Sequence, residues 1–209
     1  MADRYDVTQH PEGQYQAGSN GMVLRNTQGI TDPVRMEEVE FDLLVRLQEQ
    51  LLEEIETTQM ITVDDLCDWH RQWLGEVYEW AGNYRSVNMA KGDFLFAASH
   101  LVPTLMQSYE RECLQRFTPC SGMTEKPLCE ALAICHVEFI LIHPFREGNG
   151  RLARVLATVM ALQAGQPLLN FGLLEEDKER YIEAIQLGHA GDYLPMQRIF
   201  SEILAGSAA

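Results

Sequence analysis

The chain is expected to fold as an all-α protein carrying one small β-hairpin. Three features support this. Apolar residues recur at helical spacing behind recognisable start signals through most of the length. The run from about Pro127 to Ile142 is apolar on nearly every face, as in a helix buried at a domain centre. Only residues 83 to 98 alternate in the manner of strands.

In chain order, residues 1 to 30 are polar and rich in Gly, Gln and Asn, and read as an irregular lead-in. Asp32-Pro33 has the form of an N-cap with proline in the first turn. It opens a helix to about Thr57 with Val39, Leu43, Leu44, Leu47 and Leu51 on its buried stripe. Thr62 with Asp65 starts a second helix, expected to reach about Trp80. Lys91-Gly92-Asp93 is a hairpin turn within 83 to 98, the segment that supplies the expected strands. Pro103 begins a helix to about Phe117, followed by the core helix with Leu128, Ala131, Leu132, Ile134, Val137, Phe139 and Ile140. A further helix ends near Gly165, and two more, about 175 to 187 and 193 to 205, close the fold. No internal repeat or long linker divides the chain, so residues 31 to 206 are expected to form a single domain behind the lead-in.

Composition narrows the function classes. The net charge of −15, from 31 acidic and 16 basic residues, disfavours direct binding to a nucleic-acid backbone. No apolar run is long enough to span a membrane, and Met1-Ala-Asp-Arg-Tyr-Asp does not read as a signal peptide, so a cytoplasmic location is expected. Cys67, Cys113, Cys120, Cys129 and Cys135 include no Cys-x-x-Cys pair and signal neither a disulfide framework nor a zinc site.

The chemistry concentrates in His143-Pro-Phe-Arg-Glu-Gly-Asn-Gly-Arg-Leu-Ala-Arg154, where the core helix ends and the next begins. Gly148 and Gly150 bracket Asn149, allowing a sharp turn whose amides, with the positive end of the following helix, suit phosphate oxygens. Arg151 and Arg154, three apart, are expected to share one helical face and hold a polyphosphate. With Arg146 they place three basic residues within nine positions of an acidic chain. A carboxylate beside phosphates is repelled unless a cation intervenes, which makes Glu147 a candidate Mg²⁺ ligand. His143, with an unperturbed pKa of about 6.5, is the candidate general base.

These residues match, at every specified position, the twelve-residue signature of the Fic (Fido) family: histidine, any residue, phenylalanine, any residue, acid, Gly-Asn-Gly-Arg, two residues, arginine. Trp80-Ala-Gly-Asn-Tyr-Arg85 and Lys91-Gly92-Asp-Phe-Leu-Phe96 resemble the segment leading into the family's flap. Gly18 to Asn26, on through Gly29-Ile30, resembles the N-terminal lead-in of its small bacterial toxin-like members. The resemblance runs from about residue 15 to about 200. It implies a Fic-type helical bundle with a β-hairpin flap beside the active site. It also implies a protein adenylyltransferase that moves AMP from ATP to a Tyr, Ser or Thr hydroxyl of a target protein and releases pyrophosphate. In that reading His143 is the base, Glu147 binds Mg²⁺, Gly148, Asn149 and Gly150 form the anion hole, Arg151 and Arg154 hold the β and γ phosphates, and Phe145 anchors the loop. Tyr181 resembles a residue near the adenine pocket.

Other readings stand beside this one. A lone helix-end histidine is usually structural, paired arginines usually face solvent, and the aromatic residues of closing helices usually pack the core. The flap residues Lys91, Gly92 and Phe96 are expected to position an extended target segment added as a strand, although Phe94 and Phe96 could instead simply pack the hairpin. A non-catalytic nucleotide-gated interaction module, removal of AMP, or use of another nucleotide donor are the alternative functions. Many relatives carry an inhibitory helix with Ser or Thr, three residues, Glu, then Gly or Asn. Thr8 to Gly13 fits those letters, but Pro11 makes it a poor helix, and Ser201 to Gly206 lacks the glutamate. Inhibition by a small separate antitoxin protein is therefore expected in place of self-inhibition.

Overall fold

The computed structural model describes residues 10–54, 56–92 and 94–207. Thr8 of the inhibitory pattern and Asp93 of the hairpin turn lie outside them. The helices among the described residues are α1 (Pro33–Glu54), α2 (Val63–Leu74), α3 (Val102–Tyr109), α4 (Gln115–Phe117), α5 (Glu125–Ile142), α6 (Asn149–Gln163), α7 (Gly172–Glu176), α8 (Lys178–His189) and α9 (Leu194–Ser207). The expected starts are met. Asp32 Oδ1 accepts from Val34 N–H at 3.1 Å, and Thr62 forms a reciprocal capping box with Asp65.

Several ends differ from the sequence expectation. α1 is described to Glu54, and Glu56 and Thr57 lie outside it. α2 stops at Leu74, where Gly75 caps it, and Trp80 lies in the turns beyond. Tyr78 and Trp80 stack on each other at 4.5 Å outside it. The helix expected from Pro103 to about Phe117 runs over that length without interruption, with a π-helical turn over Glu110–Leu114 inside it. The closing helix expected at 175 to 187 divides into α7 and α8, with Asp177 capping Arg180 N–H.

α5 is the axis of the molecule. It is buried over most of its surface and packs against α3, α6, α8 and α9, while α1 and α2 pack together and reach α6. The strands β1 (Ala90–Lys91) and β2 (Phe94–Leu95) pair antiparallel, Ala90 opposite Leu95 and Lys91 opposite Phe94. They are far shorter than the alternating segment that predicted them, and a pair this short does not stand alone in water. Arg85, Phe96 and Ala97 fasten this flap to the bundle, as described below.

The α5–α8 contact depends on Gly188, because a Cβ there would run into the buried, β-branched side chain of Val137. Gly188→Val should therefore destabilise the fold by about 1–3 kcal/mol through overpacking. Urea denaturation measures this, and an unchanged midpoint would show that the helices part freely.

Candidate active site

The signature occupies the α5–α6 junction. His143 terminates α5 in the left-handed conformation, φ 52° and ψ 60°, which a residue with a Cβ adopts only when its surroundings impose it. Arg85 is the main constraint. Its guanidinium is buried and donates to four carbonyls: Nε to His143 at 2.6 Å, Nη1 to Val87 at 2.7 Å, and Nη2 to Ile142 at 3.2 Å and to Ala97. Its own N–H bonds Pro144 O at 2.8 Å. One side chain thus ties both limbs of the flap to the last turn of α5.

The imidazole of His143 is held on two sides. Nδ1 lies 3.2 Å from Ile140 O, so it carries the proton and leaves Nε2 as the basic nitrogen. Phe96 stacks on the ring at 3.7 Å and 15°. The phenylalanine assigned to target positioning is therefore in contact with the proposed base, and Phe94 in turn lies edge-on to Phe96 at 5.4 Å.

The loop is locked from beneath. Phe145 is fully buried and stacks on His70 at 4.0 Å. Asn149 uses its side chain on the loop, accepting from Phe145 N–H at 2.9 Å and donating to Phe145 O at 2.7 Å. Its contribution to an anion is thus limited to the backbone. His70 Nδ1 accepts from Gly82 N–H at 2.8 Å, so Nε2 donates to Glu147 O at 3.1 Å. The two glycines differ. Gly148 is left-handed (φ 82°), and a Cβ would sit 2.6 Å from the Trp73 ring, whereas Gly150 is helical with open space at its Cβ position. Leu152 N–H to Gly148 O, at 2.9 Å, is an early bond of α6, so the amides of 149 to 151 precede it at the helix's positive end.

A cavity of about 830 Å³ opens over this turn. His143, Arg146, Glu147, Gly148, Asn149, Gly150 and Arg154 line it, with Lys91, Phe94 and Phe96 from the flap and Lys178 and Tyr181 from α8. Gly92 sits at the flap tip, outside the wall, with open space around it. Arg146 Nε donates to Glu12 O at 3.0 Å. Arg154 pairs with Glu175 at 2.9 Å and keeps a buried Nε without a hydrogen-bond partner among the described residues. Tyr181 shares a 2.8 Å hydrogen bond with the buried His136. The two arginines expected to share one face diverge. Arg151 is absent from the cavity wall and turns to Glu40 of α1, at 2.7 Å.

The sequence reading missed Arg85, His70, Glu40 and Lys178. Glu40 left a readable signal, an acid in register with the buried Met36, Leu43 and Leu47, and His70 left a comparable one among Leu66, Trp69 and Trp73. Glu12, the acid of the inhibitory pattern, is buried within a 3₁₀ turn, Pro11–Gly13, and accepts from Ser86 N–H at 2.6 Å, while Arg154 pairs with Glu175. No group of three or more His, Cys, Asp or Glu residues able to enclose a metal occurs among the described residues, nor does any helix long and apolar enough to cross a membrane.

The Fic/DOC family model matches residues 60–161. The probable protein adenylyltransferase Fic of Escherichia coli K12 is 31% identical over 140 residues, covering 65% of this chain and 66% of that protein. The probable protein adenylyltransferase Fic of Salmonella typhimurium is 28% identical over 188 residues, 88% of each chain. The structure of the Bartonella tribocorum effector BepC with bound AMPPNP superposes with a TM-score of 0.73 at 22% identity, covering 93% of this chain and 97% of that one.

Burial lowers the pKa of His70, His136 and His143 to about 4 each, so all three are neutral at pH 7. In the unfolded chain each titrates near 6.5. Between those values the unfolded chain binds protons that the folded chain does not, so the stability they contribute is full above about pH 6.5 and is lost as pH falls towards 4. Urea midpoints should fall from about pH 7 to about pH 5. A flat profile would show that the histidines are charged in the folded state.

Proposed function

Since the chain belongs to the Fic/DOC family, we propose that its cavity binds ATP and transfers AMP to a hydroxyl side chain of a second protein. The observation that carries this reading is the placement of one neutral histidine at a wall that also presents Lys91, Arg146, Arg154 and Lys178. In a chain of net charge −15, four cations around one glycine turn suit a polyphosphate. The apolar part of the wall, with Ile140, Leu174, Tyr181, Ile182 and Ile185, suits a planar base.

In this mechanism the target hydroxyl is within hydrogen-bond reach of His143. Nε2 takes its proton as the oxygen bonds to the α-phosphorus, and pyrophosphate leaves as the α–β bridging bond breaks. The Ile140 carbonyl keeps the tautomer correct for that transfer, and Phe96 keeps the ring plane fixed. Burial keeps His143 unprotonated at pH 7, the form that can accept a proton. Arg154 and the amides at the start of α6 hold phosphate oxygens, and the flap positions the target segment through Lys91 and Gly92. Glu147 fits Mg²⁺: its carboxylate lies at the cavity, and a single protein carboxylate with phosphate oxygens and water is the usual magnesium environment. Bound there, the ion would neutralise charge on the phosphates.

The finer reading adds a small separate antitoxin that supplies an inhibitory glutamate. It is supported by the commitment of Glu12 to Ser86 and by the presence of alanine at position 205, where the C-terminal pattern requires glutamate.

The test is transfer from α-labelled ATP with Mg²⁺ to proteins of a bacterial lysate. Wild type should label a target, and His143→Ala should lower the rate by about 10²- to 10⁴-fold with ATP affinity retained. Undiminished labelling by that variant would remove His143 from the mechanism.

A further inference from the structure

Arg151 begins in the first turn of the phosphate-facing helix yet ends among side chains of α1 and α2. Its Nη2 lies 2.7 Å from Glu40 Oε2 and 3.3 Å from Glu147 Oε1, and its guanidinium lies over the Trp73 ring at 4.7 Å. Glu40 is built to receive it. The carboxylate is buried at a core position of α1, its Oε1 accepts from Tyr78 O–H at 2.7 Å, and its backbone oxygen accepts from Trp73 Nε1 at 2.8 Å. A carboxylate this deep requires a cation, and Arg151 is the one it has.

The same Nη2 meets both carboxylates, ion-paired with Glu40 and hydrogen-bonded to Glu147. Glu147 Oε1 therefore receives both Arg151 and Gly148 N–H, the latter at 2.9 Å. With Oε1 held twice, the carboxylate plane is fixed and Oε2 is the oxygen left for another partner at the cavity. We propose that Glu40 and Arg151 form a relay that positions Glu147, and that Arg151 acts on the metal side of the site through that carboxylate and does not bind phosphate. Glu40 and Arg151 are thus positioning residues. The inference rests on the reading above that Glu147 holds Mg²⁺. Outer groups that orient a metal ligand typically change metal affinity by about 10- to 100-fold when removed.

The experiment is calorimetric binding of ADP, which has no group to transfer in this reaction, with Mg²⁺ and again in excess EDTA. The quantity read is the gain in affinity that Mg²⁺ provides. Glu40→Gln and Arg151→Gln should each leave affinity in EDTA unchanged and reduce the Mg²⁺ gain by about 10-fold or more. Arg154→Gln should weaken binding in both conditions. Because Arg151→Gln strands a buried carboxylate, the double variant Glu40→Gln/Arg151→Gln, which removes both charges, carries the test if the single one does not fold. It should lose no more of the gain than Glu40→Gln alone. Loss of EDTA affinity in Arg151→Gln or in the double variant beyond that of Glu40→Gln would make Arg151 a phosphate ligand and overturn the proposal, as would an unchanged Mg²⁺ gain in Glu40→Gln. Glu147→Ala separates the two levels. If it retains the gain, the metal reading itself fails. If it loses the gain while Glu40→Gln keeps it, only the relay fails.

Discussion

One buried guanidinium holds the site together. Arg85 forms no ion pair among the described residues and is satisfied by the carbonyls of Val87, Ala97, Ile142 and His143. A buried cation is tolerated only when its donors are paired, so these carbonyls must converge for the chain to fold. Two of them flank the flap and two close α5. The flap's two-residue strands thereby gain a fixed base, and His143 is held in a backbone conformation that costs about 1–3 kcal/mol when nothing imposes it.

The second layer comes from contacts that support the cavity wall from beneath. Phe145 on His70, and Asn149 on both backbone groups of Phe145, make the loop between α5 and α6 a packed element. Gly148 is required there because Trp73 closes against it. Trp73 also underlies Arg151, so the same indole shapes the turn and seats the relay from Glu40. The arginines accordingly divide. Arg85 and Arg151 face the protein, and Arg146 and Arg154 face the cavity. Four cations remain at the pocket of an otherwise acidic molecule.

The junction was legible in sequence because its constraints are local: a core helix that must end, a glycine that must turn, and charged types at fixed offsets. Helix starts were legible for the same reason, as at Asp32 and Thr62. Helix ends were less so, since Tyr78 and Trp80 continue the aromatic spacing of α2 while packing outside it. The contact of Arg151 with Glu40 was not legible because Glu40 belongs to a distant segment. Lys178 arrives from α8 by tertiary packing alone, and no periodicity announces it.

The central claim is that this junction moves a nucleotidyl group, with attack at the α-phosphorus. Supplying α-labelled and γ-labelled ATP in parallel, with Mg²⁺ and a bacterial lysate, tests it most directly. The account predicts protein-bound label from the α position alone, with the γ label leaving in pyrophosphate. Protein-bound label from the γ position that is lost in His143→Ala would contradict it and make the site a phosphoryl-transfer centre.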